Sequence, residues 1–153
     1  MRLWRIVREP FQALDGEGAR LNGGRWNSEG VPVVYLSSSL SLSALEYLVH
    51  LDIDDAPVDL VAMEVDMPHD VAEEYVAVED LPADWNRVPD HPECVRRGDE
   101  WALASRACLL RVPSAVVPVE TNVLLNPRHA DSRYVRVVAV HSWSFDRRLV
   151  SGA

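Results

Sequence analysis

Glycine is unevenly distributed along this chain, and its clustering limits where regular structure can form. Five of the seven glycines lie between Asp15 and Gly30. Glycine adopts left-handed backbone conformations without steric cost and lets the main chain approach a ligand closely, but it weakens helices and strands. We therefore predict that this segment is a loop, with regular elements on either side of it.

The segments around this loop are short, and most have the apolar patterns of β-strands. These patterns predict strands at residues 3–7, 31–36, 60–65, 108–112, 115–119 and 134–141. An amphipathic helix is predicted over residues 42–50, capped by a preceding serine, with Leu42, Leu45 and Val49 on its apolar face. Residues 70–97 are polar and predicted to form loops and short helical pieces, and a short helix then opens at Gly98 with Asp99 as its cap. The sequence thus predicts one mixed α+β domain over residues 1–153, richer in strand than in helix.

The composition is that of a globular protein with an acidic surface. The 153 residues are 48% apolar and 25% charged, enough for a hydrophobic core without disulfides. The chain carries 24 acidic and 15 basic residues, a formal net charge of −9. Proteins that bind nucleic acid neutralise phosphates with a basic surface, so we expect no direct nucleic-acid partner.

The sequence also gives expectations about location and metals. It has no apolar run of the length of a signal peptide or a membrane span, so we expect a cytoplasmic protein with no membrane partner. The two cysteines and five histidines do not have the spacing of metal ligands. We therefore expect no metal.

Three side chains in the first third of the chain could bind a ligand. Arg25 follows two glycines, where its planar guanidinium could bind phosphate alongside backbone amides. Tyr35 lies in a predicted strand and could stack on a flat ring, and Glu46 lies at the border of the apolar helix face. Taken singly, each also has a structural explanation, as a surface arginine in an ion pair, a core tyrosine and a solvated rim carboxylate.

Two further polar residues stand next to prolines. Ser114 follows Pro113 in a predicted connection between strands, and Asn126 precedes Pro127. Their side chains could contact a ligand, but serine and asparagine are also ordinary turn residues that hydrogen-bond their own backbone. Neither position decides between these two interpretations by itself.

The ordered set of segments resembles the RES-domain family, which is named for an arginine, a glutamate and a serine. The segments that carry the resemblance are GRWN at 24–27, VYL at 34–36, SALEYLVH at 43–50, GDEW at 98–101, VPSAVVP at 112–118 and NVLLNPRH at 122–129. They cover most of the chain in order, whereas residues 70–97 match no segment of the family.

The resemblance implies a fold similar to that of ADP-ribosyltransferases and an enzyme that consumes NAD. Such an enzyme transfers ADP-ribose to a protein, or releases nicotinamide with water or phosphate as acceptor. The matching positions imply catalytic roles for Glu46, Arg25 and Tyr35, and NAD contacts for Arg25, Tyr35, Ser114 and Asn126. The family also implies a toxin–antitoxin pair in which a Xre-like antitoxin covers the active site.

The implied reaction is compatible with these residue types. Cleavage of the nicotinamide–ribose bond passes through a state resembling an oxocarbenium ion, which a carboxylate such as Glu46 can stabilise. Arg25 would hold the pyrophosphate or ribose, Tyr35 would stack on nicotinamide, and Ser114 would hydrogen-bond the ribose or the amide. Two other functions remain open at this stage, an RNA-cleaving toxin and a non-catalytic module that binds a nucleotide or a peptide.

Overall fold

The computed structural model describes residues 1–51 and 57–150, and within them it contains seven strands and four α-helices. The strands are β1 (Arg2–Arg8), β2 (Val34–Ser37), β3 (Leu60–Asp66), β4 (Glu73–Tyr75), β5 (Leu109–Pro113), β6 (Thr121–Leu125) and β7 (Arg136–Trp143). The helices are α1 (Glu17–Asn22), α2 (Leu40–Leu48), α3 (Pro92–Ala104) and α4 (Arg147–Val150). The last three residues of the predicted domain, 151–153, lie outside the described residues.

The described strands form one sheet in the order β4-β5-β6-β2-β1-β3-β7. Neighbouring strands are antiparallel, except that β4 and β5 are parallel. Strand β1 pairs with β3 along its whole length, whereas β1 and β2 share a single partner pair, Trp4 with Ser37. The sheet therefore opens between β1 and β2 on either side of that pair.

The two faces of the sheet bury separate apolar clusters. One cluster is formed largely by residues of β1, β2, β3, β5 and β6; its most buried members include Leu3, Leu36, Met63, Val123 and Leu125. The other cluster lies between the opposite face and α3, and it contains Trp26, Val33, Trp85, Trp101 and Leu124. Alternation along β2 and β6 assigns successive side chains to the two clusters, as expected for a sheet that is covered on both faces.

Helix α2 begins at Leu40, and Ser39 caps it by accepting a hydrogen bond of 3.1 Å from the Leu42 amide, which confirms the predicted serine cap. The predicted apolar face is only partly correct, because Leu45 and Val49 are 39% and 55% exposed. The helix instead turns Leu42 and Ser43 toward the sheet. The buried Ser43 hydroxyl accepts a hydrogen bond of 3.0 Å from the Ile6 amide, which lies beyond the single pair joining β1 to β2.

The second predicted helix is longer than expected and starts earlier. Helix α3 begins at Pro92, and the His91 side chain accepts the hydrogen bond of the Glu93 amide at its start. Gly98 therefore lies inside the helix, and Asp99 is not a cap. The carboxylate of Asp99 instead accepts hydrogen bonds from the amide and hydroxyl of Ser28, which ties α3 to the glycine-rich segment.

Three other local predictions are corrected. The glycine-rich segment contains the short helix α1, and residues 70–97 contain the strand β4 as well as the start of α3. Residues 115–119 are a turn rather than a strand, and the strand β6 follows at Thr121. The turn forms because the Ser114 hydroxyl accepts hydrogen bonds from the amides of Val116 and Val117, which a strand would have used in the sheet.

Candidate functional site

A pocket of about 810 Å³ opens where β1 and β2 diverge. Its floor includes residues 5–7 of β1 and residues 35–37 of β2, and its walls come from α2 and from residues 23–26 of the glycine-rich segment. A volume of this size is within the range of pockets that hold small molecules and cofactors. Of the five predicted site residues, Arg25, Tyr35 and Glu46 line the pocket.

Glu46 is fixed in the pocket by hydrogen bonds from two other elements. Its Oε1 accepts a hydrogen bond of 2.6 Å from the Ser114 hydroxyl and another from Nδ2 of Asn122. The carbonyl oxygen of the Asn122 side chain accepts a hydrogen bond of 2.8 Å from Ser37, which fixes the orientation of that amide. Within residues 1–51 and 57–150, Oε2 of Glu46 makes no hydrogen bond, so one oxygen of an oriented carboxylate is available to a ligand.

Ser114 is completely buried and does not face the pocket. Its hydroxyl donates to Glu46 and accepts from the amides of Val116 and Val117 at 3.1 and 2.9 Å. One donor and two acceptor positions are the full capacity of a hydroxyl group. Ser114 therefore acts on the pocket through the Glu46 carboxylate.

Arg25 lies at the rim of the pocket with its guanidinium already paired. Nη1 donates hydrogen bonds of 3.0 and 3.1 Å to the carbonyl oxygens of Trp85 and Arg87, and Nη2 lies 3.0 Å from a carboxylate oxygen of Asp90. Its side chain is only 17% exposed. Arg25 thus holds the segment around residues 85–90 against the pocket, and Asp90, which also lines the pocket, neutralises its charge.

Tyr35 is anchored by its hydroxyl, which accepts a hydrogen bond of 3.0 Å from the Trp26 amide and donates one of 2.8 Å to Oδ1 of Asn27. Burial raises the pKa of this phenol far above its ordinary value, so it remains neutral and keeps both bonds at any physiological pH. A Cβ at Gly24 would lie 2.8 Å from the Tyr35 hydroxyl oxygen, so glycine is required for this approach. The anchored hydroxyl fixes the ring at the pocket wall.

Asn126 lies outside the pocket. It is buried at the end of β6, where Nδ2 donates a hydrogen bond of 2.9 Å to the Ala102 carbonyl oxygen of α3. Its Oδ1 accepts a hydrogen bond of 3.0 Å from the Arg128 amide. These contacts join α3 to the turn after β6, and the structure does not bring Asn126 together with the other four residues.

Among the pocket residues that were not singled out in the sequence, four bear most on the site: Arg5, Ser37, Tyr47 and Asn122. Ser37 and Asn122 become neighbours only through the register of β2 and β6, where they are directly paired. The motif around residues 122–129 contained Asn122, but the Asn-Pro turn signal directed attention to Asn126. No feature of the sequence distinguished Arg5 from the other arginines of the chain.

Arg5 is a partly buried cation with little compensation. Its Nη1 donates one hydrogen bond of 3.1 Å to the Ala13 carbonyl oxygen, and within the described residues no carboxylate lies within ion-pair distance. Burial lowers the pKa of its guanidinium, and the charge of Asp15 partly opposes this change. A partly buried cation that lines a pocket without an ion pair is suited to an anionic ligand.

Two kinds of feature are absent from the described residues. No group of three or more histidine, cysteine, aspartate or glutamate side chains there could hold a metal ion. No helix of the described chain is long and apolar enough to cross a membrane.

Comparison with known proteins gives consistent similarities. Residues 2–148 match the RES domain. The chain is 37% identical to a protein named Prs ADP-ribosylating toxin from Sphingobium sp., covering 98% of this chain and 97% of that protein. It is 38% identical to a Toxin Res of Photorhabdus laumondii, with the same coverage of each chain. A chain in the crystal structure of the M. tuberculosis MbcT–MbcA toxin–antitoxin complex has the same fold, with a TM-score of 0.78 at 18% identity over 94% of this chain and 84% of that chain.

Proposed function

The chain belongs to the RES domain family, and we propose that it is the toxin of a toxin–antitoxin pair and cleaves the nicotinamide–ribose bond of NAD. The name of one relative, an ADP-ribosylating toxin, supports an enzyme that uses NAD. The observation that carries the proposal is the Glu46 carboxylate, oriented by Ser114 and Asn122 with one oxygen left for a ligand.

In the proposed reaction the bond between ribose C1′ and the nicotinamide nitrogen breaks, and the electron pair leaves with nicotinamide. The ring nitrogen is positively charged in NAD, so nicotinamide leaves as a neutral molecule and needs no general acid. The ribose develops positive charge, and the free oxygen of Glu46 stabilises it while accepting a hydrogen bond from a ribose hydroxyl. The acceptor adds to C1′ and loses its proton, which completes the transfer.

The other pocket residues bind and orient the substrate. The Tyr35 ring, whose hydroxyl is held by Trp26 and Asn27, stacks on nicotinamide. Arg5 supplies the positive charge for the pyrophosphate, because the charge of Arg25 is already paired with Asp90. Arg25 contributes through the pocket rim, which it holds in place through three contacts. Ser114 is a positioning residue for Glu46 rather than a direct NAD contact.

We propose a Xre-like antitoxin as partner, seated over the pocket of this cytoplasmic enzyme, because an enzyme that consumes NAD must be restrained in its own cell. Helix α2, which carries Glu46, presents the exposed apolar side chains of Leu45 and Val49 on its outer side. Apolar surface beside a pocket suits a protein partner better than solvent. The similar fold in the MbcT–MbcA complex is compatible with this partnership.

The acceptor of ADP-ribose is identified by analysing products. Purified protein is incubated with NAD, alone, with phosphate and with cell lysate, and the products are measured by mass spectrometry. Free nicotinamide is expected in every case, with ADP-ribose, ADP-ribose 1″-phosphate or a modified protein as the second product. Bound NAD without nicotinamide release would indicate a non-catalytic binding module. Degradation of RNA without loss of NAD would indicate an RNA-cleaving toxin.

A further inference from the structure

Three aromatic side chains form a cluster at one end of the pocket. The ring of Tyr47, which lines the pocket, is stacked on Phe145 with a centroid distance of 6.1 Å and an interplanar angle of 28°. Trp143 meets Phe145 edge to face, with centroids 6.1 Å apart. Phe145 and Trp143 thus support the Tyr47 ring from behind, so it forms a fixed apolar wall.

Tyr47 and Glu46 point toward opposite ends of the pocket. They are neighbours on α2, where successive side chains are separated by about 100°. Glu46 reaches Ser114 and Asn122 at β5 and β6, whereas Tyr47 reaches Phe145, just after β7. In the sheet order β5-β6-β2-β1-β3-β7, these ends lie on either side of the opening between β2 and β1.

Arg5 lies between these two ends, because it belongs to β1. In the order of the strands, the pocket therefore contains the oriented carboxylate of Glu46 beside β6, the cation of Arg5 on β1 and the aromatic wall of Tyr47 beside β7. Four strand spacings separate β6 from β7, about 19 Å. An extended dinucleotide presents its groups in the same order: a ribose next to the leaving nicotinamide, a pyrophosphate and an adenine ring.

We propose that Tyr47 stacks on the adenine ring of the substrate, which makes the pocket selective for a dinucleotide lying across the strands. This inference rests on the proposed function and specifies the orientation of NAD: nicotinamide ribose at Glu46, pyrophosphate at Arg5 and adenine at Tyr47. Binding of the adenine end anchors the substrate and leaves the reacting bond beside the carboxylate.

The test compares ligands for the two ends of the pocket. AMP carries only the adenine end, and nicotinamide carries only the other, so each is measured as an inhibitor of NAD cleavage. In Tyr47→Ala we expect the inhibition constant of AMP and the KM for NAD to rise by about ten- to a hundredfold, because base–aromatic stacking is lost. Inhibition by nicotinamide should change little. Tyr47→Phe keeps the stacking ring and should restore AMP inhibition.

Tyr134 provides the matched control, since it is a partly exposed tyrosine that does not line the pocket, and Tyr134→Ala should leave AMP inhibition unchanged. If Tyr47→Ala does not fold, Tyr47→Leu takes its place, because leucine packs on Phe145 without a ring to stack. Equal weakening of AMP and nicotinamide, or unchanged AMP inhibition, would overturn the proposal. Calorimetric titration measures AMP binding to wild type and to Tyr47→Ala without turnover. If the wild type released no nicotinamide but bound AMP more tightly than Tyr47→Ala, the proposed reaction would be contradicted and the adenine site would be supported.

Discussion

The hydroxyl of Ser114 donates a hydrogen bond of 2.6 Å to Oε1 of Glu46 across 68 residues of sequence. The same hydroxyl oxygen accepts hydrogen bonds from the amides of Val116 and Val117. Because these amides occupy its acceptor positions, the turn that they form also directs the hydroxyl proton toward the carboxylate. The glutamate on α2 and the serine after β5 are therefore parts of one unit. Together with Asn122, Ser114 fixes the orientation of the Glu46 carboxylate.

Ser114→Ala should lower kcat with little effect on the KM for NAD, because the carboxylate loses one of its two donors but the binding surface is intact. We expect a fall of roughly tenfold, smaller than the loss on removing the carboxylate charge itself. The free energy of unfolding should also fall by about 1–3 kcal/mol, since the partly buried amides of Val116 and Val117 lose their acceptor. Ser132→Ala, outside the pocket, is the control. An unchanged kcat would show that Ser114 does not position Glu46.

Arg5→Gln should raise the KM for NAD by about ten- to a hundredfold, because the pyrophosphate loses a charged hydrogen-bond donor. The thermal stability should stay the same or increase, since the variant removes a partly buried cation that has no carboxylate partner among the described residues. Steady-state kinetics and melting curves measure the two effects.

Arg2→Gln is the control for Arg5, because Arg2 lies on the same strand but pairs with Glu64 and Asp66 outside the pocket. It should keep the wild-type KM. A wild-type KM in Arg5→Gln as well would remove Arg5 from the substrate site.

The sequence predicted the family and the mixed, strand-rich α+β fold correctly, because apolar periodicity and ordered motifs are local properties. It also predicted three residues that line the pocket: Arg25, Tyr35 and Glu46. Local signals failed where a tertiary contact decides the outcome. The sequence predicted a helix start at Gly98. This glycine instead lies within α3, where the helix passes so close to the backbone of Trp26 that a Cβ would not fit.

The remaining site residues depend on strand register and on charge balance. Asn122 contacts Glu46 because β6 pairs with β2. The register of these two strands is not evident from the sequence, so the sequence alone does not show that Asn122, and not Asn126, lies in the pocket. Arg5 is partly buried and lines the pocket without a carboxylate partner among the described residues, whereas Arg25, the other arginine that lines it, pairs with Asp90; only the folded arrangement reveals this difference. The position of the Tyr47 ring likewise depends on its stacking with Phe145, which follows the last strand of the sheet and lies far from Tyr47 in the sequence.

Gly98→Ala should destabilise the protein strongly, by about 3 kcal/mol or more, because the added methyl group would lie 1.8 Å from the Trp26 carbonyl oxygen. Gly18→Ala is the matched control within α1, where no atom lies within 4 Å of the added carbon. It should be neutral or stabilise by up to about 1 kcal/mol. Urea denaturation measures both, and equal stability of the two variants would contradict the close packing of α3 on Trp26.

NAD and the antitoxin should compete if the antitoxin covers the pocket. In Glu46→Gln, which should bind NAD without consuming it, NAD at a hundred times its Kd should weaken antitoxin binding by about a hundredfold. Calorimetric titration of the antitoxin at several NAD concentrations and matched ionic strength measures this. An antitoxin affinity that does not change at saturating NAD would show that inhibition acts from another surface.

The release of nicotinamide from NAD by wild-type protein and by Glu46→Gln tests the proposed function most directly. Glutamine preserves the size of the side chain but removes the carboxylate, and Glu120→Gln, on an exposed turn outside the pocket, serves as the control. Wild type and Glu120→Gln should release nicotinamide at the same rate, and Glu46→Gln should be slower by about a hundred- to a thousandfold. Absence of nicotinamide release by the wild type, or wild-type release by a folded Glu46→Gln, would contradict NAD cleavage at this pocket.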